Sequence, residues 1–253
     1  MLRQIDILGY SVLNEPAARV AAEVCDQLGS PNRLSCVFLN PHSVVLAQQD
    51  TEFRQALTTA SAVFCDGVGL SLASLLLNRR SVHRVYGYEF FLALSRELSQ
   101  RSLGHVFFIG GSEEDLQALT AKYRADFPGI LAIDCYAPPF RAEFSEAEIA
   151  DMGKRIAARG ADILWLGLGS PKQEKVLRRL MPHCDVSCGA AVGAVFDFYS
   201  GKIPHAPGWV RRLGLQWLHR LTLEPKRLWR RTLISMPIFV SQVVRELAHG
   251  GRP

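Results

Sequence analysis

Apolar runs and polar breaks alternate along most of this chain. Residues 34–39 (LSCVFL) form an apolar run, and Asn40-Pro41-His42 then turns the chain. Ser43 to Thr59 is helical in pattern. Ala62 to Cys65 is a short apolar run ending at Asp66-Gly67, and 69–77 reads as a helix. His105 to Ile109 reads as a strand, followed by Gly110-Gly111-Ser112 and an acidic helix start at Glu113-Glu114-Asp115. Leu131 to Cys135 is a further strand candidate. Phe144 to Arg159 has helical periodicity, with Ser145 and Glu148 at capping-box spacing. Strands over 163–168 and 186–192 complete the series. This alternation predicts an α/β fold, a Rossmann-like, mostly parallel sheet with helices on both faces. No internal repeat or low-complexity linker interrupts it.

Polar or glycine-rich residues follow four of these strands: Asn40, Asp66-Gly67, Gly110-Gly111-Ser112 and Gly169-Ser170. In a parallel sheet such ends converge on one side, so their loops can form one cleft. The segment ILWLGLGSPKQEK, residues 163–175, places a buried strand before a Gly-Ser-Pro turn and a charged helix start. Backbone N–H groups at such an edge favour phosphate. The GGS turn lacks full G-x-G-x-x-G spacing, which argues against a dinucleotide cofactor. Asp66 leaves the sheet at a strand end, where a partly desolvated carboxylate can act as a general base. The same position also suits an N-cap for the next helix. Asn40 reads equally as a turn-former or a ligand donor.

Composition narrows the class. The chain has 253 residues, 48% hydrophobic and 21% charged, as in a globular protein. MLRQIDILGY lacks a signal-like apolar stretch, and no run reaches the roughly 18–20 apolar residues of a membrane span. A cytosolic location is expected. Cysteines at 25, 36, 65, 135, 184 and 188 read as buried free thiols. Cys184 and Cys188 beside His183 lack a second pair at matching spacing, which argues against zinc. The net charge of +5 is concentrated late: residues 202–231 hold eight bases against one acid, Glu224. A basic end on a nearly neutral body points to an anionic partner.

Residues 1–200 therefore read as an α/β domain and 201–253 as a basic, amphipathic appendage; the family resemblance given below makes the first catalytic and has the second complete the site at the membrane. Within it, WVRRLGLQWLHRL (209–221) sets Val210, Leu213, Gly214, Trp217, Leu218 and Leu221 on one helical face and Arg211, Arg212, Gln216, His219 and Arg220 on the other. Such a helix suits an anionic membrane interface, and it suits packing on the body equally well. Nucleic acid is a weaker third reading, because the basic stretch is short and continuous with an apolar face.

LNPHSVVLA (39–47), CDGVGL (65–70), HRVYGYEFF (83–91), FFIGG (107–111), LGLGSPKQE (166–174) and the run from Gly193 to Arg231 together resemble the WecG/TagA/CpsF family of bacterial glycosyltransferases. The likeness covers about residues 5–232. It implies an inverting, metal-independent transferase without a cofactor. Such an enzyme moves a hexose-type sugar from a UDP-sugar to a polyprenyl-diphosphate-linked saccharide, in exopolysaccharide, capsule or related surface-glycan synthesis. The implied location is peripheral, on the inner face of the cell membrane, with a homo-oligomer left open and nucleic acid set aside. By resemblance Asp66 falls on the general base and Arg84 on a position near the diphosphate. Gln173, with Gly169 in the same motif, lines the nucleotide-sugar pocket, and Asn40 matches the N-P turn. Arg220, Arg227 and Arg230 match late arginines that complete the site. Two departures, Phe38 where teichoic-acid members place Thr and Glu89 where many place Asp, favour an exopolysaccharide-type member. The alternative is a non-catalytic nucleotide-sugar or lipid-binding pseudoenzyme.

Overall fold

A computed structural model describes residues 2–204, 210, 218, 221–222, 229 and 234–249. Eight strands form one sheet: β1 (Gln4–Ile7), β2 (Tyr10–Leu13), β3 (Leu34–Leu39), β4 (Ala62–Cys65), β5 (His105–Ile109), β6 (Ala132–Tyr136), β7 (Ile163–Leu166) and β8 (Cys188–Ala191). Their order is β1-β2-β4-β3-β8-β7-β5-β6, and every pairing except β1 with β2 is parallel. The predicted α/β architecture is therefore what the chain adopts. β4, β7 and β8 are buried along their whole length, as strands covered on both faces must be.

The helices are α1 (Ala17–Asp26), α2 (Pro41–Leu46), α3 (Thr51–Thr58), α4 (Val68–Asn78), α5 (Gly87–Arg101), α6 (Glu113–Asp126), α7 (Glu146–Arg159), α8 (Lys172–Leu180), α9 (Val195–Ser200) and α10 (Ser235–Ala248). Two cores flank the sheet. Phe53, Leu57, Leu70, Ile149, Leu177 and Phe239 pack on one face, against inward-turned Leu39, Cys65 and Leu166. On the other, α1, α5 and α6 pack an aromatic cluster in which Phe91 meets Trp165 at 5.0 Å and Tyr199 at 5.1 Å. Edge-to-face pairs of this kind add about 0.5–1.5 kcal/mol each beyond area burial.

Several expectations change in detail. The helical pattern from 43 to 59 is two helices, because Asp50 accepts a hydrogen bond from Phe53 N and starts α3 afresh. The strands expected over 163–168 and 186–192 end or begin closer in, at Leu166 and Cys188. Cys135 is exposed on the edge strand β6, whereas the other five free thiols are buried as expected. The capping box at Ser145 and Glu148 forms as its spacing predicts. The β1–β2 hairpin, α1 and α5 stand where the sequence reading placed no element. Of residues 209–221 only Val210, Leu218 and Leu221 are described, and Arg220, Arg227 and Arg230 lie outside the described residues.

α10 packs on α2 and α4 and contributes Phe239 and Val243 to the first core. Its first turn reaches the start of α2, where His42 Nδ1 and Ser235 Oγ share a hydrogen bond of 2.8 Å. The end of the chain is thereby joined to the body of the sheet. Among the described residues no helix is long and apolar enough to cross a membrane.

Candidate active site

β3, β4, β5, β7 and β8 run parallel, so the residues after them share one edge of the sheet. Asp66 lies at that edge, half-buried, directly after β4. Its backbone N–H donates to Leu39 O at 2.8 Å, which sets it beside Asn40. On the other side the segment through Arg84 continues the place of β2. Arg84 bridges Cys65 in parallel register, and Val85 N donates to Cys65 O at 2.9 Å. Asn14, just past β2, anchors this segment by donating to Ser81 O and accepting from His83 N. Three backbone segments thus bring Asn40, Asp66 and Arg84 to one place.

The N-cap of α4 is Gly67, at φ +95°, and not Asp66. Glycine adopts that angle without a Cβ penalty, and the turn lets the carboxylate leave the sheet before the helix begins. Asn40 is the N-cap of α2, its Oδ1 accepting from Ser43 N at 3.1 Å. The turn-forming reading of Asn40 is therefore realised, with the amide group at the same rim. Cys65, the nearest thiol, is pushed up to about 12, mainly by burial and then by the Asp66 charge. It is held as a thiol and is no competitor for the role of nucleophile or base.

Glu89 adds a second carboxyl to this corner. It sits in the first turn of α5, half-buried, and burial raises its pKa above the ordinary carboxyl value. A backbone N–H at Tyr86 and the charges of Arg84 and His83 oppose that rise. A Cβ on Gly87 would stand 3.4 Å from Val192 O, so the start of α5 abuts the loop after β8. The sequence marked Glu89 only as a departure from a pattern; its local signal was an acid in the first turn of an apolar helix.

A small cleft opens farther along the edge, lined by Gly110, Gly111, Asp115, Gly167, Gly193 and Asp197 among others. Its position follows from topology. The connection after β5 passes through α6 on one face, and the connection after β7 passes through α8 on the other. Loops that diverge in this way leave a crevice where open α/β sheets take their ligands. The floor is main chain: a Cβ on Gly110 would meet Gly167 O at 2.5 Å. Lys202 and Ser112 hold the Asp115 carboxylate below its ordinary range. No role was read for Asp115 or Asp197 in the sequence, since neither belongs to a short motif.

Gln173 joins the two halves. It is buried, its Oε1 accepts from Gly169 N at 3.2 Å, and its Nε2 donates to Ala191 O at 3.1 Å and Glu174 Oε1 at 3.0 Å. The side chain ties the loop after β7 to the end of β8. Gly169, at φ +79°, has open space where a Cβ would stand, as a backbone offered to a ligand requires. No group of three or more metal-ligating side chains occurs among the described residues. Cys188 instead faces Cys36, with sulfurs 3.7 Å apart, and Cys184 donates to Leu180 O.

The sequence model of the glycosyl transferase WecG/TagA/CpsF family matches residues 5–252. The chain belongs to this family. It is 30% identical over 214 residues to an N-acetylglucosaminyldiphosphoundecaprenol N-acetyl-beta-D-mannosaminyltransferase of Bacillus subtilis (strain 168), covering 82% of this chain and 78% of the relative. The protein of the same name from Bacillus spizizenii is 29% identical over 217 residues, covering 86% of this chain and 81% of the relative. In this member of the family Asp66, Arg84 and the glycine cleft lie along one edge of the sheet.

Proposed function

We propose that the chain is an inverting, metal-independent transferase that moves a hexose-type sugar from a UDP-sugar to a polyprenyl-diphosphate-linked saccharide. The named relatives, whose acceptor is a diphosphoundecaprenol-linked sugar, support the acceptor class. The observation that carries the reading is the placement of Asp66, half-buried and fixed by backbone bonds between Asn40 and the Arg84 segment. In the reaction an acceptor hydroxyl oxygen attacks the anomeric carbon and gives its proton to the Asp66 carboxylate. The bond from that carbon to the diphosphate breaks on the opposite side, and UDP leaves with the electron pair.

Charge accumulating on the leaving diphosphate needs fixed cations. Arg84 supplies one, and the family likeness assigns Arg220, Arg227 and Arg230 to the same task. The nucleoside half of the donor occupies the glycine cleft, with the Gly169 loop, held by Gln173, beside its phosphates. Asn40 donates from its amide to the sugar or diphosphate. β4 and β7 are three strand positions apart, about 14 Å at the usual spacing, a span suited to an extended nucleotide-sugar. Residues 1–200 act as the catalytic body and the basic remainder closes the site at the membrane. Phe38 and Glu89 favour an exopolysaccharide or capsule product.

UDP release from a panel of UDP-sugars with a short-chain polyprenyl-diphosphate glycan tests this reading. Asp66→Asn is expected to lower kcat by about 10²–10⁴ while leaving UDP binding in place. Undiminished turnover by that variant removes Asp66 as the base. UDP binding without turnover by the native chain across the whole panel removes the transferase reading.

A further inference from the structure

The first turn of α5 stands over the middle of the site's edge. Its Phe90 ring lies 4.9 Å from that of Phe64 on β4 and 6.3 Å from that of Phe38 on β3. Its Gly87 abuts the residues after β8, where a Cβ would stand 3.3 Å from Val195 Cγ2 and 3.4 Å from Val192 O. Arg84, just before the helix, is paired with Cys65, which directly precedes Asp66. Glu89 is therefore bracketed by the ends of β3, β4 and β8. Asn40 and Asp66 lie to one side of it, and Gly193 with the glycine cleft lies to the other.

The surroundings of this carboxyl set it apart from other acids of the fold. Glu15 is held by Arg3 and Arg19, Asp50 by Lys175, Asp115 by Lys202 and Asp126 by Lys122. Glu89 forms no ion pair among the described residues, although it is half-buried above the stacked rings of Phe38 and Phe64. The Tyr86 N–H and the more distant charges of Arg84 and His83 only partly offset that burial. A glutamine would fill the same space without burying a charge. Proteins carry costs of this kind at sites that bind or react.

The transferase reading, on which this inference rests, says what passes through the place. With the nucleoside in the glycine cleft and the acceptor hydroxyl at Asp66, the sugar being moved lies between them, beside Glu89. A pyranose offers hydroxyl donors around its ring, and an ionised carboxylate is an acceptor with room for several of them. Hydrogen bonds to a charged acceptor are about twice as strong as neutral ones. The diphosphate is repelled by the same carboxylate, so the phosphates face Arg84 and the sugar faces Glu89. We propose that the Glu89 carboxylate accepts hydrogen bonds from ring hydroxyls of the transferred sugar and thereby sets which donor the enzyme takes. A site built to bond a hydroxyl rejects analogues that lack it, because its own buried group is then left unpaired.

The test pairs variants of the full chain with variants of the donor. Kd by calorimetry, and kcat/KM with a short-chain acceptor, are measured for the best UDP-hexose, its monodeoxy analogues and UDP alone. Glu89→Gln keeps the shape of the side chain and is expected to lower kcat/KM for the best donor by about ten- to hundredfold. Its Kd for UDP, which carries no sugar, should be unchanged. In the native chain, removing the hydroxyl that Glu89 reads should cost a similar factor. In Glu89→Ala the same removal should cost almost nothing, because its partner is already gone. Glu97→Gln, farther along α5, should behave as the native chain does. Equal losses for every analogue in the native chain and in Glu89→Ala overturn the proposal. A Kd for UDP that moves as far as the Kd for the UDP-sugar also overturns it. The binding measurements need no acceptor and so separate the two readings. Hydroxyl coupling to Glu89 without turnover by the native chain removes the transferase reading alone. Turnover without such coupling removes the role of Glu89 alone, and a native chain that binds no UDP-sugar overturns both.

Discussion

Gln173 Nε2 donates to the carbonyl oxygen of Ala191 at 3.1 Å, so the loop after β7 and the end of β8 are held by one buried amide. Its other end accepts from Gly169 N. Gln173→Ala would leave both backbone groups without this partner, at a cost of about 1–3 kcal/mol in chemical unfolding. KM for the UDP-sugar should rise more than kcat falls, because the Gly169 loop loses its support. Gln173→Glu should be at least as damaging near neutral pH, since it sets a second carboxylate against Glu174, and should recover partly in acid.

Glu89 gives a pH-dependent prediction. Its folded-state pKa is raised, chiefly by burial, so the folded chain binds this proton more tightly than the unfolded chain. The associated stability is fully present below the ordinary carboxyl value and is lost as pH rises through the raised one. Glu89→Gln should therefore be more stable than the native chain at neutral pH. The difference should shrink on acidification, as thermal unfolding across a pH series would show.

Phe239 tests the attachment of α10. It is 2% exposed in the first core, and Phe239→Ala should cost about 3–5 kcal/mol if the helix unfolds with the body. A change near zero in urea unfolding would mean that α10 is not part of the cooperative unit.

Two glycines separate crowding from backbone strain. Gly110→Ala would place a Cβ 2.5 Å from Gly167 O, main chain that cannot swing away. Gly169→Ala meets open space and carries only the left-handed backbone penalty, about 1–2 kcal/mol. The first should abolish UDP binding by calorimetry or unfold the protein. The second should fold and bind UDP more weakly.

The parallel sheet was legible because its inner strands are short, apolar and punctuated by Asn40-Pro41, Asp66-Gly67, Gly110-Gly111 and Gly169-Ser170. The buried spacing of α5, at Phe90, Phe91, Leu94 and Leu98, carries an equally plain helical period. It lay in a region read only for its motif. The β1–β2 hairpin was harder: two four-residue strands joined through Leu8 and Gly9, both at positive φ, give little periodicity. Within the site, motif positions pointed to Asp66, Asn40 and Gln173. That the Gln173 amide is engaged by neighbouring loops depends on the β7–β8 pairing, which no local pattern encodes. The Asp115–Lys202 contact likewise joins residues 87 positions apart.

The sheet ends in β6, whose outer side pairs with no strand among the described residues. Asp134 on that strand engages His105 Nε2 at 2.7 Å and lies 3.6 Å from Arg159 Nη1. Charges at an unpaired strand deter another strand from adding to it. Wherever copies of a protein are concentrated, neighbours collide far more often than in dilute solution. A blunted β6 lets copies of this chain crowd without stacking into fibrils through their sheets.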